Sequence, residues 1–207
     1  MKQILVGAAY YPEMWDENEV EKDIARMKEA GVNCVRGGEF AWSKMEPEEG
    51  KFDFSWLKNA VDKCYAAGIV TVMCTPTCTP PRWLLDTYEE TRSVDARNVR
   101  AEVSSRCHPC KTSAKMREKN AIIVEELARE FGGHPGVIGW QIDNEIFPYG
   151  DRCYCPLCVE AFRRYLREKY GTIENLNAAW GMVRWSLDYK SFSDVLPPRE
   201  GQWKHPS

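Results

Sequence analysis

Short continuous apolar runs alternate along this chain with stretches whose apolar positions recur every three or four residues. Runs of the first kind predict buried strands, and stretches of the second kind predict helices packed by one face. The first run, residues 4–10, ends at Pro12. Asp16 and Glu17 open a helix with Val20, Ile24 and Met27 on one face, and Gly31 closes it. Residues 32–36 form a second run, followed by a loop through Trp42 and Pro47. Ser55 is placed to cap the next helix, with Leu57, Val61 and Tyr65 inward and Gly68 at its end. Residues 69–74 form the third run. An irregular stretch over 75–110 follows, rich in Pro, Thr and Arg, and its length marks it as a functional loop. A helix over about 113–131 presents Val124, Leu127, Ala128 and Phe131, and Gly132-Gly133 ends it. The fourth run spans 137–142. A cysteine-rich loop then leads into a helix over about 159–170, with Phe162, Tyr165 and Leu166 inward, and Thr172 caps a short helix ending near Trp180.

The resulting order, β-α-β-α-β-α-β-α with unbroken apolar strands, predicts an α/β fold with a parallel sheet covered by helices. An open doubly wound sheet and a closed TIM (β/α)8 barrel both satisfy it. The first helix is preceded by Tyr10-Tyr11-Pro12-Glu13, not by a glycine-rich phosphate loop, which disfavours a nucleotide-binding open sheet. Polar and aromatic residues gather just after each strand: Tyr10 and Tyr11, Glu39 to Trp42, Thr75 to Trp83, and Asn144-Glu145. In a barrel these loops form the active face. Four β/α units occupy residues 1–207 where a barrel needs eight and about 250 residues, so the chain reads as the N-terminal portion of a catalytic barrel domain.

Composition narrows the classes. The chain is 43% hydrophobic and 29% charged, as expected of a soluble globular protein. A net charge of −3 argues against a nucleic-acid partner. No stretch approaches the ~20 apolar residues of a membrane span. Met1-Lys2-Gln3 and the short run behind it lack the features of a secretory leader, so a cytoplasmic location is expected. Eight tryptophans are more than average; aromatic faces are platforms for sugar rings, although core packing accounts for most of them. Nine cysteines are many for such a location. Cys34, Cys64, Cys74 and Cys78 sit in apolar or threonine-rich surroundings and read as small buried hydrophobes. Cys107, Cys110, Cys153, Cys155 and Cys158 lie in polar loops, where burial explains less.

Asp143-Asn144-Glu145 follows the fourth strand directly. A glycosidase needs one carboxyl group to protonate the leaving oxygen and a second as nucleophile or base. Glu145 is the candidate donor, with Trp140 and Phe147 as apolar surroundings that raise a carboxyl pKa. Asn144 offers an amide to a sugar hydroxyl. The plain alternative is a polar turn at a strand end.

Trp140-Gln141-Ile142-Asp143-Asn144-Glu145 resembles the strand-four signature of glycoside hydrolase family 42, the β-galactosidases. Tyr10-Tyr11-Pro12-Glu13, Arg36-Gly37-Gly38-Glu39-Phe40-Ala41-Trp42-Ser43, and Gly171-Thr172-Ile173-Glu174 through Trp180-Gly181 are similar to that family as well, in order along essentially the whole chain. The resemblance implies a (β/α)8 catalytic domain and retaining hydrolysis of terminal β-D-galactosyl residues. It implies Glu145 as general acid/base, and Arg106, Asn144 and Trp185 as substrate-binding residues. On their own, Arg106 reads as one loop arginine among Arg92, Arg97 and Arg100, and Trp185 as a core lid. Glu39 shapes a pocket floor or pairs with Arg36. A homotrimer is what the resemblance implies for the full-length protein.

Cys153-Tyr154-Cys155-Pro156-Leu157-Cys158 is a C-x-C-x-x-C segment, whose thiolates can reach one tetrahedral Zn²⁺. By residue type the fourth ligand is Cys107, His108 or Cys110. The resemblance favours Cys110, four positions after Arg106. A closed set of four cysteines makes the zinc structural and not catalytic, because no position remains for water. Four reduced cysteines without metal are the alternative. The nucleophile implied by the resemblance lies beyond residue 207, so this chain alone is expected to be inactive. Two other readings stand beside the β-galactosidase one: a related barrel glycosidase acting on another sugar, and a zinc-stabilised sugar-binding fragment without catalysis.

Overall fold

A computed structural model of the chain describes residues 4–103, 109–145 and 152–199. The described elements are β1 (Gly7–Ala9), α1 (Glu19–Glu29), β2 (Cys34–Gly37), α2 (Trp42–Met45), α3 (Ser55–Ala66), β3 (Val70–Cys74), α4 (Arg82–Thr87), α5 (Ala114–Phe131), β4 (Val137–Gln141), α6 (Pro156–Tyr170) and α7 (Ile173–Trp180), with short 3-10 turns between them. The strands form one parallel sheet in the order β1-β2-β3-β4. Doubly wound sheets reverse their strand order at a switch point. Here the order follows the chain without reversal, as successive units of a barrel do, so the fold is an α/β partial barrel. Among the described residues no helix is long and apolar enough to cross a membrane.

Helices cover one face of the sheet. Val35 of β2 packs with Val20, Ile24, Ala60 and Cys64 from α1 and α3. Met73 of β3 joins Trp42, Met45, Leu57, Ile123, Leu127 and Phe131 in the larger cluster. Side chains alternate along a strand, so Arg36, between Val35 and Gly37, projects from the opposite face, and there it meets Gln141 of β4. Gly37 and Gly38 let the end of β2 come close to its neighbours. A Cβ on Gly37 would stand 2.5 Å from the Tyr10 carbonyl oxygen, and Gly38 has φ +100° with the Cys74 carbonyl oxygen 3.2 Å from a Cβ position. That turn brings Glu39 back onto Arg36.

Several local expectations need correction. Residues 4–9, and Ile138, Trp140 and Ile142 of the fourth run, are exposed, not buried, because β1 and β4 are the two edges of the described sheet and each is paired on one side only. The loop after β2 contains α2, whose Trp42 and Met45 are completely buried. Asp53, not Ser55, holds the start of α3: its Oδ1 accepts from both the backbone N–H and the hydroxyl of Ser55. Tyr65, Ala128 and Tyr165 face solvent, because each helix buries a narrower stripe than its full set of apolar residues. The long stretch after β3 is not all loop, since α4 occupies part of it. Thr172 does cap α7, accepting from the N–H of Asn175, and Ser113 caps α5 in the same way, accepting from the N–H of Met116.

Candidate active site and cysteine cluster

The C-terminal ends of the strands carry a connected set of polar side chains. Glu39 is completely buried. Its Oε1 accepts from the Arg36 guanidinium at 2.9 Å and from the Tyr11 hydroxyl at 3.0 Å, so of the two roles foreseen for Glu39 the pairing with Arg36 is present. The second nitrogen of the Arg36 fork donates to Gln141 Oε1 at 2.6 Å. Gln141 Nε2 donates to the Asp143 carbonyl oxygen at 2.9 Å and to Asn144 Oδ1 at 3.2 Å. The backbone N–H of Asp143 donates to the Thr75 hydroxyl at 2.7 Å, and that of Asn144 to Asp143 Oδ1 at 2.8 Å. Asp143 and Glu145 both adopt left-handed backbone conformations, with φ +58° and +46°. Such positions cost about 1–2 kcal/mol for an L-residue and persist where neighbouring bonds over-determine them. Glu145 is exposed at the rim.

Glu13 stands near this set. Burial raises its pKa above the ordinary carboxylate value, and the negative charge of Glu39 adds to the effect. Neither of its oxygens has a hydrogen-bond partner beyond its own backbone. Burial and the bond to Glu39 likewise raise the Tyr11 hydroxyl. Glu13→Gln should therefore stabilise the chain at neutral pH. Below the ordinary value of 4.5 the carboxyl is protonated in both folded and unfolded states and costs nothing as a charge. The penalty enters as pH rises from there through the raised folded value. The urea midpoint of the variant should exceed that of the parent at neutral pH and converge with it in acid; a constant offset across pH would show that the charge is not responsible.

The second constellation is the sulfur cluster. Sγ atoms of Cys110, Cys153, Cys155 and Cys158 all lie within 4.8 Å of one another. Cys110 Sγ is 3.6 Å from Cys155 Sγ and 3.5 Å from Cys158 Sγ. A disulfide needs about 2.05 Å, and no described cysteine is in one. Sulfurs 2.3 Å from a tetrahedral Zn²⁺ stand about 3.8 Å apart, so the spacing fits a metal of that size. Two strand-end loops supply the set. Cys110 ends the loop after β3, where its N–H donates to the Thr91 carbonyl oxygen at 2.6 Å. Cys155 is the N-cap of α6 and Cys158 lies in its first turn, where the helix N-terminus favours negative charge. The Val94 N–H donates to Cys153 Sγ at 3.4 Å, and Cys158 Sγ lies 3.2 Å from the Thr112 hydroxyl. A hydrogen bond from Cys110 lowers the Cys153 thiol to about 4, while burial pushes Cys158 up to about 11. A dication held among four cysteine sulfurs favours the thiolate form of each.

Not every expected site residue falls in the described parts. Arg106, Phe147 and the alternative ligands Cys107 and His108 lie outside them. Trp185 lies in the 3-10 turn Arg184–Ser186, and its side chain is outside them too. Asn144 and Glu145 stand together at the end of β4, as their spacing requires. The roles of Gln141 and Thr75 had not been read from the sequence. A signal for Gln141 was its polarity near the end of an apolar run, just before Asp143-Asn144-Glu145. Nothing local distinguishes Thr75 from its neighbours. A recess of about 630 Å³ opens beside Cys155, lined by Arg100, Tyr154 and Arg163 among others, but these arginines are already engaged, by Glu89 and by the Val195 and Ser193 carbonyl oxygens.

The sequence profile of the family described as Beta-galactosidase, glycoside hydrolase family 42, matches residues 9–207. The chain belongs to glycoside hydrolase family 42. It is 43% identical over 205 residues to the β-galactosidase YesZ of Bacillus subtilis, covering 99% of this chain and 31% of that protein. It is 46% identical over 195 residues to the β-galactosidase BgaA of a Thermus species, covering 94% of this chain and 30% of that protein. The structure superposes on the β-galactosidase of the haloarchaeon Halorubrum lacusprofundi with a TM-score of 0.89 and 42% identity, over 98% of this chain and 30% of that one. The chain therefore spans less than one third of the length of these family 42 relatives.

Proposed function

We propose that this chain supplies the first four β/α units of the catalytic barrel of a retaining β-galactosidase, with Glu145 as general acid/base. The placement of Asn144-Glu145 at the C-terminal end of β4, on the same rim as Tyr11, Arg36 and Glu39, carries this reading. Membership of family 42 supports it. In the first step Glu145 gives its proton to the glycosidic oxygen while a carboxylate from a later strand attacks the anomeric carbon. In the second, Glu145 takes a proton from the water that releases the sugar. Arg106, Asn144 and Trp185 bind the galactosyl group. Retention places the two carboxyl groups about 5–5.5 Å apart, and no strand-end carboxylate of residues 1–207 is assigned as the nucleophile.

Cys110, Cys153, Cys155 and Cys158 hold a structural Zn²⁺ in this reading. The donor set is closed, so the metal supplies cross-linking and not Lewis acidity. It ties the loop after β3 to the start of α6, on either side of the turn that carries Glu145. Lys111, next to Cys110, reaches Asp143 at 3.4 Å across the same gap.

The test begins with the reading frame beyond codon 207. It should continue through further β/α units to a glutamate at the end of a late strand. The complete product should hydrolyse a nitrophenyl β-D-galactoside, and residues 1–207 alone should not. Hydrolysis by the isolated chain, or a complete product that prefers glucosides or mannosides, would overturn the proposal.

A further inference from the structure

We propose that Arg36 and Gln141 are positioning residues for Asn144, forming a relay from the buried Glu39 to the strand-four turn. The inference rests on the reading of Asn144-Glu145 as the active-site pair and adds a device that neither residue's own role requires.

The chemistry of each member dictates the direction of the relay. Arg36 is a pure donor with a rigid fork. One arm is held by Glu39 Oε1 at 2.9 Å, and Glu39 is completely buried and also accepts from Tyr11. The other arm, at 2.6 Å, can face only the oxygen of the Gln141 amide. That contact decides which way round the amide stands, because oxygen and nitrogen are otherwise interchangeable in outline. With Oε1 committed to Arg36, Nε2 must point toward the turn, where it meets two acceptors, the Asp143 carbonyl oxygen at 2.9 Å and Asn144 Oδ1 at 3.2 Å. The Asn144 amide is oriented in turn, with its oxygen toward Gln141. The relay thus converts one half-buried ion pair, anchored on the buried Glu39, into a defined orientation of the side chain beside Glu145.

The turn needs such a device. Two non-glycine residues, Asp143 and Glu145, flank Asn144 in left-handed conformations. A polar turn ending an ordinary strand does not need a guanidinium two strands away. Arg36 lies on β2 and Gln141 on β4, with β3 between them, so their bond spans the strand ends across the intervening strand.

A double-mutant cycle in the complete enzyme tests the relay. Gln141→Leu removes both the oxygen that Arg36 holds and the donors that Asn144 meets. It should lower kcat/KM by about tenfold to a hundredfold, the scale of a misplaced active-site group. Asn144→Ala should cost at least as much. If Gln141 acts through Asn144, the double variant falls no more than about twofold below Asn144→Ala alone; independent effects would multiply. Should Gln141→Leu fail to fold, Arg36→Lys carries the same test, since it keeps a charge for Glu39 but cannot fork to Gln141. Multiplying losses, or a folded Gln141→Leu enzyme with parental kcat/KM, overturns the relay. Glu145→Gln is measured alongside. If it abolishes turnover while Gln141→Leu does not lower it, the relay alone is wrong; if it leaves turnover intact, the active-site reading is wrong and the relay falls with it.

Discussion

In the complete enzyme, Glu145→Gln lowers kcat/KM for an alkyl β-D-galactoside by about 10²–10⁴-fold, the usual contribution of a positioned general acid. The substitution keeps the shape of the side chain and removes the transferable proton. An alkoxide is a poor leaving group and requires that proton in the transition state. A dinitrophenolate does not, so kcat/KM for a dinitrophenyl galactoside should fall far less. Its kcat should still drop, because the second step needs the same carboxylate as a base to activate water. A small anionic nucleophile such as azide does not need that base, and should restore turnover while yielding the β-galactosyl azide expected of a retaining enzyme. This pattern separates an acid/base from a residue that merely holds the fold, which would affect both substrates alike and resist rescue. Equal losses for the two leaving groups, without azide rescue, would remove Glu145 from that role.

The second large effect concerns the metal. Protein purified without chelator should contain one zinc per chain, and Cys155→Ser should lower that stoichiometry toward zero. Cys155 is only 2% exposed and caps α6 through its backbone, so its sulfur cannot be replaced by a ligand from solvent without moving the helix start. The tetrad draws together segments 43 residues apart in sequence, from Cys110 to Cys153. Losing the ion leaves four buried or half-buried thiols with no shared partner. Structural zinc sites contribute folding free energy directly. A loss of about 3 kcal/mol corresponds to a Tm lower by about 6–12 °C for a chain of this size. Chelator should reproduce the shift in the parent and leave Cys155→Ser unmoved. A folded, metal-free parent whose Tm ignores chelator would mean that the four cysteines hold no structural ion.

Much of this was legible in residue patterns. Continuous apolar runs over 69–74 and 137–142 marked strands that lie in the sheet, and Thr172 announced a helix start that is capped as expected. Such signals are local: a cap needs only its own first turn, and an apolar run marks a strand whatever then covers it. Asn144 and Glu145 were legible for the same reason, since a carboxyl group directly after an apolar strand stands at a strand end whatever surrounds it. The spacing of Cys153, Cys155 and Cys158 also declared itself, because all three sulfurs come from one turn and the start of one helix.

What depends on distant parts of the chain was not legible. Apolar content alone made residues 4–10 look buried, yet burial is a property of neighbours, and β1 is paired on one side only. Trp42 looked like a loop residue because its core partners lie on other elements of the same cluster, among them Leu57 and Phe131. The convergence of Cys110 on the other three sulfurs spans two loops, and only the family resemblance pointed to it in advance. The path from Glu39 through Arg36 and Gln141 to Asn144 crosses from β2 to β4. By itself, then, the sequence determined the order of strands and helices, the candidate acid at the end of β4 and three of four sulfurs. Only the tertiary structure decided which polar groups meet across the sheet, because hydrogen bonds and ion pairs between strands depend on register and facing, and neither is encoded within any one segment.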